Sequence, residues 1–430
     1  MNYRQRLLSL IPGGAHTYSR GYDQFPANCP QILTKGNKCY IYDINNRKIL
    51  DYGMGLRSVI LGYNNNEVNR KVIEAIKKGN NLTLPSLLEL KAAETITNLI
   101  TTAEMVKFAK NGSNVTTAAV KLARAYTGRD YVARCIDHPF FSFDDWFIGS
   151  TVMNKGVPKQ ISDLTITFKY GDLKDLENLF EKYPNKISCV IMEAATTNHP
   201  PQGYLQKVKE ICHKNGALFI LDEIITGFRW HLKGAQYYYN IDPDLSTFGK
   251  AMSNGFSIAA LVGKKEFMKL GSIELEGQER VFLLSSTYGA EMTGLAAFLA
   301  TLNILQRENV IEYIWKYGEK LIQIFNKKAK EIGIQEYFKA DGIPCSPWYI
   351  TYNSKKQICL GMKTLFLQEM IKNRVFIPWI SISYSHTQKE LEITEKAIEK
   401  ALKVYSLALE DGYQKYLEGH IIKPVFRKYN

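Results

Sequence analysis

The sequence predicts an α/β protein whose main sheet is mostly parallel, on three observations. Helical stretches such as LLELKAAETITNLI and TTAAVKLARAY alternate with short apolar runs over about 200 residues, starting near residue 85. The apolar runs MVKFA, SCVIMEA, ALFILDEI and IAALVG are typical of strands that are buried between layers of helices. The 430 residues, of which 45% are hydrophobic and 23% charged, suffice for a large core and two domains.

The two ends of the chain predict a second, smaller α+β domain. Near the N-terminus, KCYIYDINNRKILDYG alternates like a hairpin around Asn45 and Asn46, and NEVNRKVIEAIKKG has helical periodicity. From about residue 300 the pattern is that of long amphipathic helices with a few strands. We therefore expect residues 1–60 to pack with the small domain, residues 61–305 to form the large domain, and residues 306–430 to form the rest of the small domain.

The sequence carries no pattern for secretion, a membrane span or a metal site. Its opening, MNYRQRLLSLIPGG, turns to Pro and Gly after one short apolar stretch, and no apolar run reaches the length of about 18 residues that a membrane helix needs. The seven cysteines are odd in number, scattered and without a C-x-x-C pair, which favours reduced thiols over disulfides or zinc ligands. We expect a cytoplasmic protein with no membrane partner.

The formal charge of +13 admits nucleic acid, a membrane surface or an anionic small molecule as a partner. Nucleic acid would call for a basic stripe interleaved with aromatic residues, and none is present. An anionic substrate or cofactor needs only a few of the basic groups. The remaining lysines are expected on solvated helix faces, among them Lys71, Lys77, Lys78, Lys327, Lys328 and Lys330.

A first candidate binding segment is Lys110-Asn111-Gly112-Ser113-Asn114, between the run MVKFA and the helix that begins near Val115. A glycine beside hydroxyl and amide residues at a helix N-terminus presents free backbone N–H groups and the positive end of the helix dipole to a phosphate. An ordinary N-cap formed by Ser113 or Asn114 explains the same residues. On its own, this segment leaves both interpretations open.

A second candidate is Asp222, at the end of the apolar run ALFIL. A carboxylate at the carboxyl end of a central strand faces the ligand crevice of an open α/β sheet, and it is costly to bury without a partner. A protonated ring nitrogen of a bound cofactor would be such a partner. The alternative is an aspartate that caps the following helix.

The third candidate is Lys250, the single charged residue of the stretch STFGKAMSNG. Most lysines are solvated, but one that is partly desolvated among small residues has a lowered pKa and attacks an aldehyde as the neutral amine. The flanking glycines and the lack of neighbouring charges favour this functional interpretation.

Together these segments resemble the class III (fold type I) aminotransferases, and most closely those similar to glutamate-1-semialdehyde 2,1-aminomutase. The resemblance covers nearly the whole chain, in family order and spacing. It is carried by PGGAHTYSRG, GMGLRSVILGY, FAKNGSNVTTAAVKLARAYTGRD, DHPFFSFDDWFIGS, ILDEIITGFRW, DLSTFGKAMSNGF and SSTYGAE. It implies a fold type I transferase that depends on pyridoxal 5′-phosphate (PLP).

The resemblance also assigns roles to single residues. Lys250 forms the Schiff base with PLP, Asp222 faces the ring nitrogen, and Ile224 packs on one ring face. Where the family has Tyr-His-Gly this chain has Phe140-Phe141-Ser142, so stacking on the other face falls to Phe140, which lacks a phenol hydroxyl. The resemblance implies a homodimer with a shared active site. Its phosphate-binding residues are Gly112, Ser113, Asn114 and, from the second subunit, Thr287.

The substrate residues that the resemblance implies are Thr17 and Arg20, which match positions that contact the substrate carboxylate in the aminomutase. Arg57 replaces an aromatic residue of the aminomutase, and Arg20 and Arg57 would make a fork for a carboxylate or phosphate. Two features depart from the aminomutase pattern: the gate region reads GSTVMNKGVPKQIS, and the C-terminal region FIPWISISYSHT contains no Glu.

We therefore expect an aminotransferase that moves an amino group from an amino acid, with glutamate as the donor, to a small ketone or aldehyde. Chains with the DDWFIG and NKGVP signatures are associated, by resemblance, with surface polysaccharide synthesis, which suggests a phosphorylated or sugar-like acceptor. The first alternative is the aminomutase, which transfers the group within one molecule. The second is a non-catalytic PLP-fold binding protein, against which intact Lys250 and Asp222 argue.

Overall fold

A computed structural model describes residues 2–430, which divide into two compact units. The smaller unit contains the residues up to Asn65 and Glu312–Arg427, and the larger unit contains Asn66–Ile311 with Lys428–Asn430. The domain limits that the sequence suggests, at residues 60 and 305, stay a prediction.

The helices begin and end as follows: α1 (Tyr3–Leu10), α2 (Asn66–Ile76), α3 (Leu87–Leu99), α4 (Gly112–Thr127), α5 (Asp145–Ile148), α6 (Lys159–Ser162), α7 (Leu173–Lys182), α8 (Tyr204–Lys214), α9 (Gly234–Tyr238), α10 (Lys265–Met268), α11 (Met292–Arg307), α12 (Val310–Glu331), α13 (Leu360–Lys372) and α14 (Gln388–Asp411). The strands are β1 (Leu33–Asn37), β2 (Tyr40–Asp43), β3 (Lys48–Asp51), β4 (Met105–Ala109), β5 (Tyr131–Cys135), β6 (Thr165–Phe168), β7 (Ile187–Glu193), β8 (Leu218–Glu223), β9 (Leu245–Phe248), β10 (Ala259–Gly263), β11 (Phe338–Asp341), β12 (Trp348–Thr351) and β13 (Val375–Phe376).

The larger unit is built on a seven-stranded sheet with the order β4-β10-β9-β8-β7-β5-β6. The pairings of β10 with β4 and with β9 are antiparallel and the other four pairings are parallel, so the predicted α/β class with a mostly parallel sheet is confirmed. Every residue of β7, β8 and β9 is buried, which explains their continuous apolar sequences. The register pairs Glu193 with Asp222 and Asp222 with Thr247, so polar side chains of three strands lie side by side near the carboxyl edge.

The buried carboxylate of Glu223 fixes the chain just after Asp222. It accepts hydrogen bonds from the Thr226 hydroxyl at 2.7 Å and from the backbone N–H groups of Ala235 and Gln236 at 2.6 and 2.8 Å. Burial raises the pKa of Glu223, and these donors oppose that rise. A carboxylate with several donors is held in one geometry, so the end of β8 is rigid.

The smaller unit contains a four-stranded sheet with the order β1-β2-β3-β13 and a separate hairpin, β11 and β12. The predicted hairpin around Asn45 and Asn46 is present as antiparallel β2 and β3, with Asn46 at φ 57° in the turn. The long helical stretch near residue 300 is interrupted between α11 and α12, where Asn309 adopts φ 49°.

One of the lysines that we expect to be solvated is not. The Lys328 side chain is only 13% exposed, and its ammonium group lies within 4 Å of the carboxylates of Glu331, Glu395 and Glu399. Because two of these acids belong to α14, far along the chain from α12, the periodicity of one helix does not reveal them.

All seven cysteines are free thiols, and five of them are buried. Within residues 2–430 there is no cluster of His, Cys, Asp and Glu that could hold a metal ion. In the same part of the chain, every helix is too short or too polar to cross a membrane.

Candidate active site

Asp222 ends the central strand β8 with a side chain that is only 3% exposed. Its Oδ1 accepts hydrogen bonds from the Ile224 N–H at 2.9 Å and from the Thr247 hydroxyl at 3.0 Å. Burial raises the pKa of Asp222 to about 6, against the opposing effects of the Ile224 N–H, the Lys250 charge and the Thr247 hydroxyl. No helix begins directly after Asp222, so the alternative of a helix cap is wrong; α9 starts only at Gly234.

Lys250 is half-buried and follows β9, the strand that pairs with β8. The positive charge of Lys250 lowers the pKa of the Asp222 carboxyl, against the larger effect of burial. Lys250 adopts φ 43°, in the left-handed region that side chains other than glycine disfavour. Strain of this kind is concentrated at functional sites, because the surrounding structure must be selected to maintain it.

Ile224 connects the strand ends to the start of α4. A Cβ atom placed on Gly112 would lie 3.3 Å from Ile224 Cδ1, and one placed on Gly249 would lie 3.0 Å from the same atom. Only glycine lets both backbones approach this side chain so closely. The structure therefore brings Gly112, Ile224 and the segment of Lys250 together.

The N-terminus of α4 is capped by Asn111, whose side chain accepts a hydrogen bond from the Asn114 N–H at 3.0 Å. The alternative in which Ser113 or Asn114 is the cap is therefore wrong. Among residues 2–430, the backbone N–H groups of Gly112 and Ser113 have no hydrogen-bond acceptor. Free N–H groups at the positive end of a 16-residue helix suit an anionic group.

The loop after β5 is tied to this helix end. The Ser113 hydroxyl accepts a hydrogen bond from the Phe143 N–H at 3.1 Å, and the Thr116 hydroxyl donates to the Phe141 carbonyl at 2.8 Å. Phe140, the predicted stacking residue, lies in the same loop with its ring 46% exposed and edge-on to Phe147. An exposed aromatic ring that is held beside an anion-binding helix end is placed to cover a ligand.

The structure adds contacts that the sequence did not single out. Thr247 orients Asp222, and Thr116 anchors the loop of Phe140. Lys110, next to the cap, forms an ion pair with Glu291 at 2.5 Å, which ties the start of α4 to the segment before α11. LSTF contains two adjacent polar residues, Ser246 and Thr247, and only the strand register shows which of them lies beside Asp222.

The remaining predicted residues lie elsewhere. Thr287 is exposed on the segment before α11. Thr17, Arg20 and Arg57 belong to the smaller unit: Thr17 precedes a short helical turn, Arg20 is exposed, and Arg57 donates to the Ser346 hydroxyl. The fork of Arg20 and Arg57 stays a prediction.

Comparison with known proteins decides the family. The family model of class III aminotransferases matches residues 18–342. The chain belongs to the class III aminotransferases. It is 31% identical over 413 residues to the 3-aminobutyryl-CoA aminotransferase of Cloacimonas acidaminovorans, covering 94% of this chain and 96% of that protein. It is also 31% identical over 434 residues to the glutamate-1-semialdehyde 2,1-aminomutase of Wigglesworthia glossinidia brevipalpis, covering 93% and 95%.

Solved structures give the same fold. The FumI protein of Sphingopyxis sp. MTA144, solved with PLP, superposes with a TM-score of 0.85 at 22% identity over 95% of this chain and 96% of that one. An omega-transaminase from Sphaerobacter thermophilus superposes with a TM-score of 0.84 at 20% identity over 94% and 97%. The predicted class III resemblance, the fold type I architecture and an enzyme that depends on PLP are thereby confirmed.

The residues of this chain fit PLP. The buried Asp222 carboxylate carries both of its hydrogen bonds on Oδ1, which leaves Oδ2 for a protonated ring nitrogen. The uncapped N–H groups at the start of α4 suit the phosphate, and Ile224 lies between the two glycines with an apolar face for the ring. Lys250, which comes just after the neighbouring strand β9, would supply the amine that reacts with the aldehyde of PLP.

We expect Lys250 to be the residue that binds PLP covalently. Borohydride reduction of the PLP-loaded protein should add the mass of the cofactor to the tryptic peptide that contains Lys250. Lys250→Ala should remove both this added mass and the visible absorbance band. Lys265→Ala, an exposed lysine of the same unit, is the matched control and should label like the wild type. Label on another lysine in the wild type would contradict the assignment.

We expect the lack of a side chain at Gly112 to contribute to the affinity for the cofactor. In Gly112→Ala the new methyl group would press on Ile224 from 3.3 Å, and overpacking of this kind costs about 1–3 kcal/mol. Affinity for PLP, measured by fluorescence titration of the apoprotein, should fall about tenfold.

Ile224→Ala tests the cause, because alanine lacks the Cδ1, Cγ1 and Cγ2 atoms that would lie 3.3–3.5 Å from the new methyl group. Gly112→Ala should lower the affinity for PLP less in the Ile224→Ala protein than in the wild type. An equal loss of affinity in the two backgrounds would show that Ile224 is not the obstacle.

Proposed function

We propose that this enzyme transfers an amino group from an amino acid, with glutamate as the donor, to a small ketone or aldehyde that carries an anionic group. The observation that carries the proposal is the buried Asp222 carboxylate near Lys250, at the carboxyl ends of two central strands of the sheet. The name of the 3-aminobutyryl-CoA aminotransferase supports transfer between molecules. A phosphorylated or sugar-like acceptor from surface polysaccharide synthesis stays a prediction.

When bound, PLP supplies an electron sink that makes the Cα proton of an amino acid acidic. The chain's own residues supply the buried negative charge and move the proton. Asp222 keeps a negative charge buried where a protonated ring nitrogen needs it, and Thr247 holds that carboxylate in place. Lys250 Nζ takes the proton from the donor's Cα as a general base and later returns it.

The aminomutase is the second candidate, favoured by the relative that carries this name. Against it, the region of the expected gate is held by local contacts. The buried Arg134 donates to the Ser150 hydroxyl at 2.7 Å and to its carbonyl at 2.9 Å, and Gly149 packs against Ser162. A segment whose two ends are anchored in this way supports transfer between two molecules more than retention of an intermediate under a moving gate.

A half-reaction separates the candidates. Adding L-glutamate to the PLP-loaded enzyme should shift its visible absorbance band and release one molecule of 2-oxoglutarate for each bound PLP. A screen of the resulting amino form against oxo acids, keto sugars and phosphorylated ketones would then identify the acceptor. The proposal would be overturned if the enzyme formed 5-aminolevulinate from glutamate-1-semialdehyde, with no added donor, faster than it released 2-oxoglutarate from glutamate.

We also propose a homodimer with a shared site, in which Thr287 reaches the phosphate in the partner subunit. A groove of about 510 Å³ runs between the segments 85–93 and 284–290, close to Thr287. Leu90 lines this groove, and other large apolar side chains on or next to the two segments are also exposed: Leu84, Leu87, Phe282 and Tyr288. Exposed apolar side chains of this number support contact with another protein chain.

Hybrid dimers test this arrangement. Lys250→Ala and Thr287→Ala homodimers should each be impaired. In a mixed dimer, however, the subunit with intact Lys250 would receive Thr287 from its Lys250→Ala partner. Mixing the two variants under exchange conditions should therefore restore activity towards half of the wild-type value in the hybrid. No gain on mixing would show that Thr287 acts within its own subunit or not at all.

A further inference from the structure

Residues 282–291, which include Thr287, form a segment of the larger unit that has no helix or strand of its own. All four side chains from Ser285 to Tyr288 are exposed. A segment with few buried side chains and no regular backbone hydrogen bonds has a low local stability unless other contacts hold it. The conformation of the 282–291 segment therefore depends on the contacts at its two ends.

The first end of the segment is held by α4 and by one buried leucine. The Lys121 ammonium group, on α4, donates a hydrogen bond to the Phe282 carbonyl at 3.0 Å. Leu283 is buried, and a Cβ atom placed on Gly271 would lie 2.7 Å from its Cδ2 atom. Only glycine leaves room for this side chain. The chain is thus fixed to α4 just before the exposed residues begin.

The other end of the segment is held by the ion pair between Lys110 and Glu291. The Lys110 ammonium group lies 2.5 Å from Glu291 Oε1, and the two side chains are only 19% and 22% exposed. The same Oε1 atom accepts a hydrogen bond from the Thr293 hydroxyl at 2.9 Å. Burial acts to raise the pKa of Glu291, but the hydrogen bonds from Lys110 and Thr293 bring it below its usual value. A pair that is largely shielded from water is held more firmly than an exposed one.

Both lysines belong to the part of the chain that forms the proposed phosphate site. Lys110 directly precedes Asn111, the cap of α4, and its carbonyl accepts a hydrogen bond from the Ser257 hydroxyl at 2.7 Å. Lys121 lies further along the same helix. The helix whose N-terminus would bind the phosphate in one subunit therefore holds both ends of the segment that would reach the phosphate in the other.

We infer that Lys110 and Lys121 are positioning residues, which hold the 282–291 segment in the conformation that presents Thr287 to the partner subunit. The position of this segment matters to the cofactor only in the proposed shared site, on which the inference rests. Loss of Lys110 from one subunit therefore weakens PLP binding in the other subunit. A lysine that only shaped its own α4 would weaken binding in its own subunit instead.

Lys110→Met in both subunits should lower the affinity of the apoprotein for PLP about tenfold, as expected for loss of a charged hydrogen bond. Titration of the visible absorbance of bound PLP measures this affinity. Lys110→Arg can still pair with Glu291 and should keep most of the affinity. Lys121→Met should lower it by a smaller factor, because Lys121 is exposed. Lys174→Met, an exposed lysine of α7, is the matched control and should bind PLP like the wild type.

Hybrid dimers, isolated with two affinity tags, show which subunit is affected. Lys250→Ala limits the absorbance of covalently bound PLP to one subunit. When Lys110→Met is paired with Lys250→Ala, the subunit that binds PLP receives an intact segment, and its affinity should equal that in a hybrid of wild type with Lys250→Ala. When the wild type is paired with a subunit that carries both substitutions, it receives the altered segment, and its affinity should fall about tenfold.

Glu291→Gln breaks the same ion pair from the acidic side and should reproduce the pattern of both hybrids, so the test stays valid if Lys110→Met folds poorly. The inference is overturned if the affinity falls in the first hybrid, if it does not fall in the second, or if Lys110→Met and Lys174→Met behave alike. Sedimentation of the PLP-loaded wild type separates this from the proposed function. A monomer would contradict the shared site itself. A dimer whose two hybrids bind PLP equally well would contradict the positioning role and leave the shared site intact.

Discussion

The buried carboxylate of Asp222 is the constraint on which the site depends. A carboxylate at the end of a central strand, 3% exposed, is costly to keep ionised unless a positive charge lies beside it. Lys250 supplies part of that charge. In the proposed site, a protonated ring nitrogen of PLP would supply the rest. The parallel sheet makes this possible, because the register sets Asp222 beside Thr247 and places Lys250 at the end of the next strand.

Around this carboxylate, the chain satisfies its own polar groups and leaves open those that a ligand needs. Glu223 is fully hydrogen-bonded one residue further on, while both hydrogen bonds of Asp222 fall on one oxygen. At α4, Asn111 caps the Asn114 N–H and leaves the N–H groups of Gly112 and Ser113 for an anion. The site is therefore organised before the cofactor arrives, which reduces the entropy lost on binding.

Residue type and local position were enough to predict part of this arrangement. The alternation of helices and buried strands predicted the sheet. Three candidate site residues could be singled out locally: Asp222 at a strand end, Lys250 among small residues and Gly112 at a helix start. What stayed hidden depends on contacts between distant segments. The bond from Thr247 to Asp222 requires the strand register, and the partners of Lys328 lie on another helix. Residues 54–57 form a left-handed turn, for which a single glycine is the only local signal.

The most direct test of this account is an infrared titration of Asp222 in protein with labelled aspartate, with Asp222→Asn as the reference. In the apoprotein the carboxyl group should titrate at about 6, above the usual value near 4, because burial disfavours its charge. The folded apoprotein should then lose stability through this group as the pH rises from about 4 to about 6, because its raised pKa binds the proton more tightly than the unfolded chain does. Loading with PLP should lower the pKa of Asp222 below its value in the apoprotein, because the ionised carboxylate gains a cationic partner. A pKa that is unchanged or higher in the loaded protein would contradict the account.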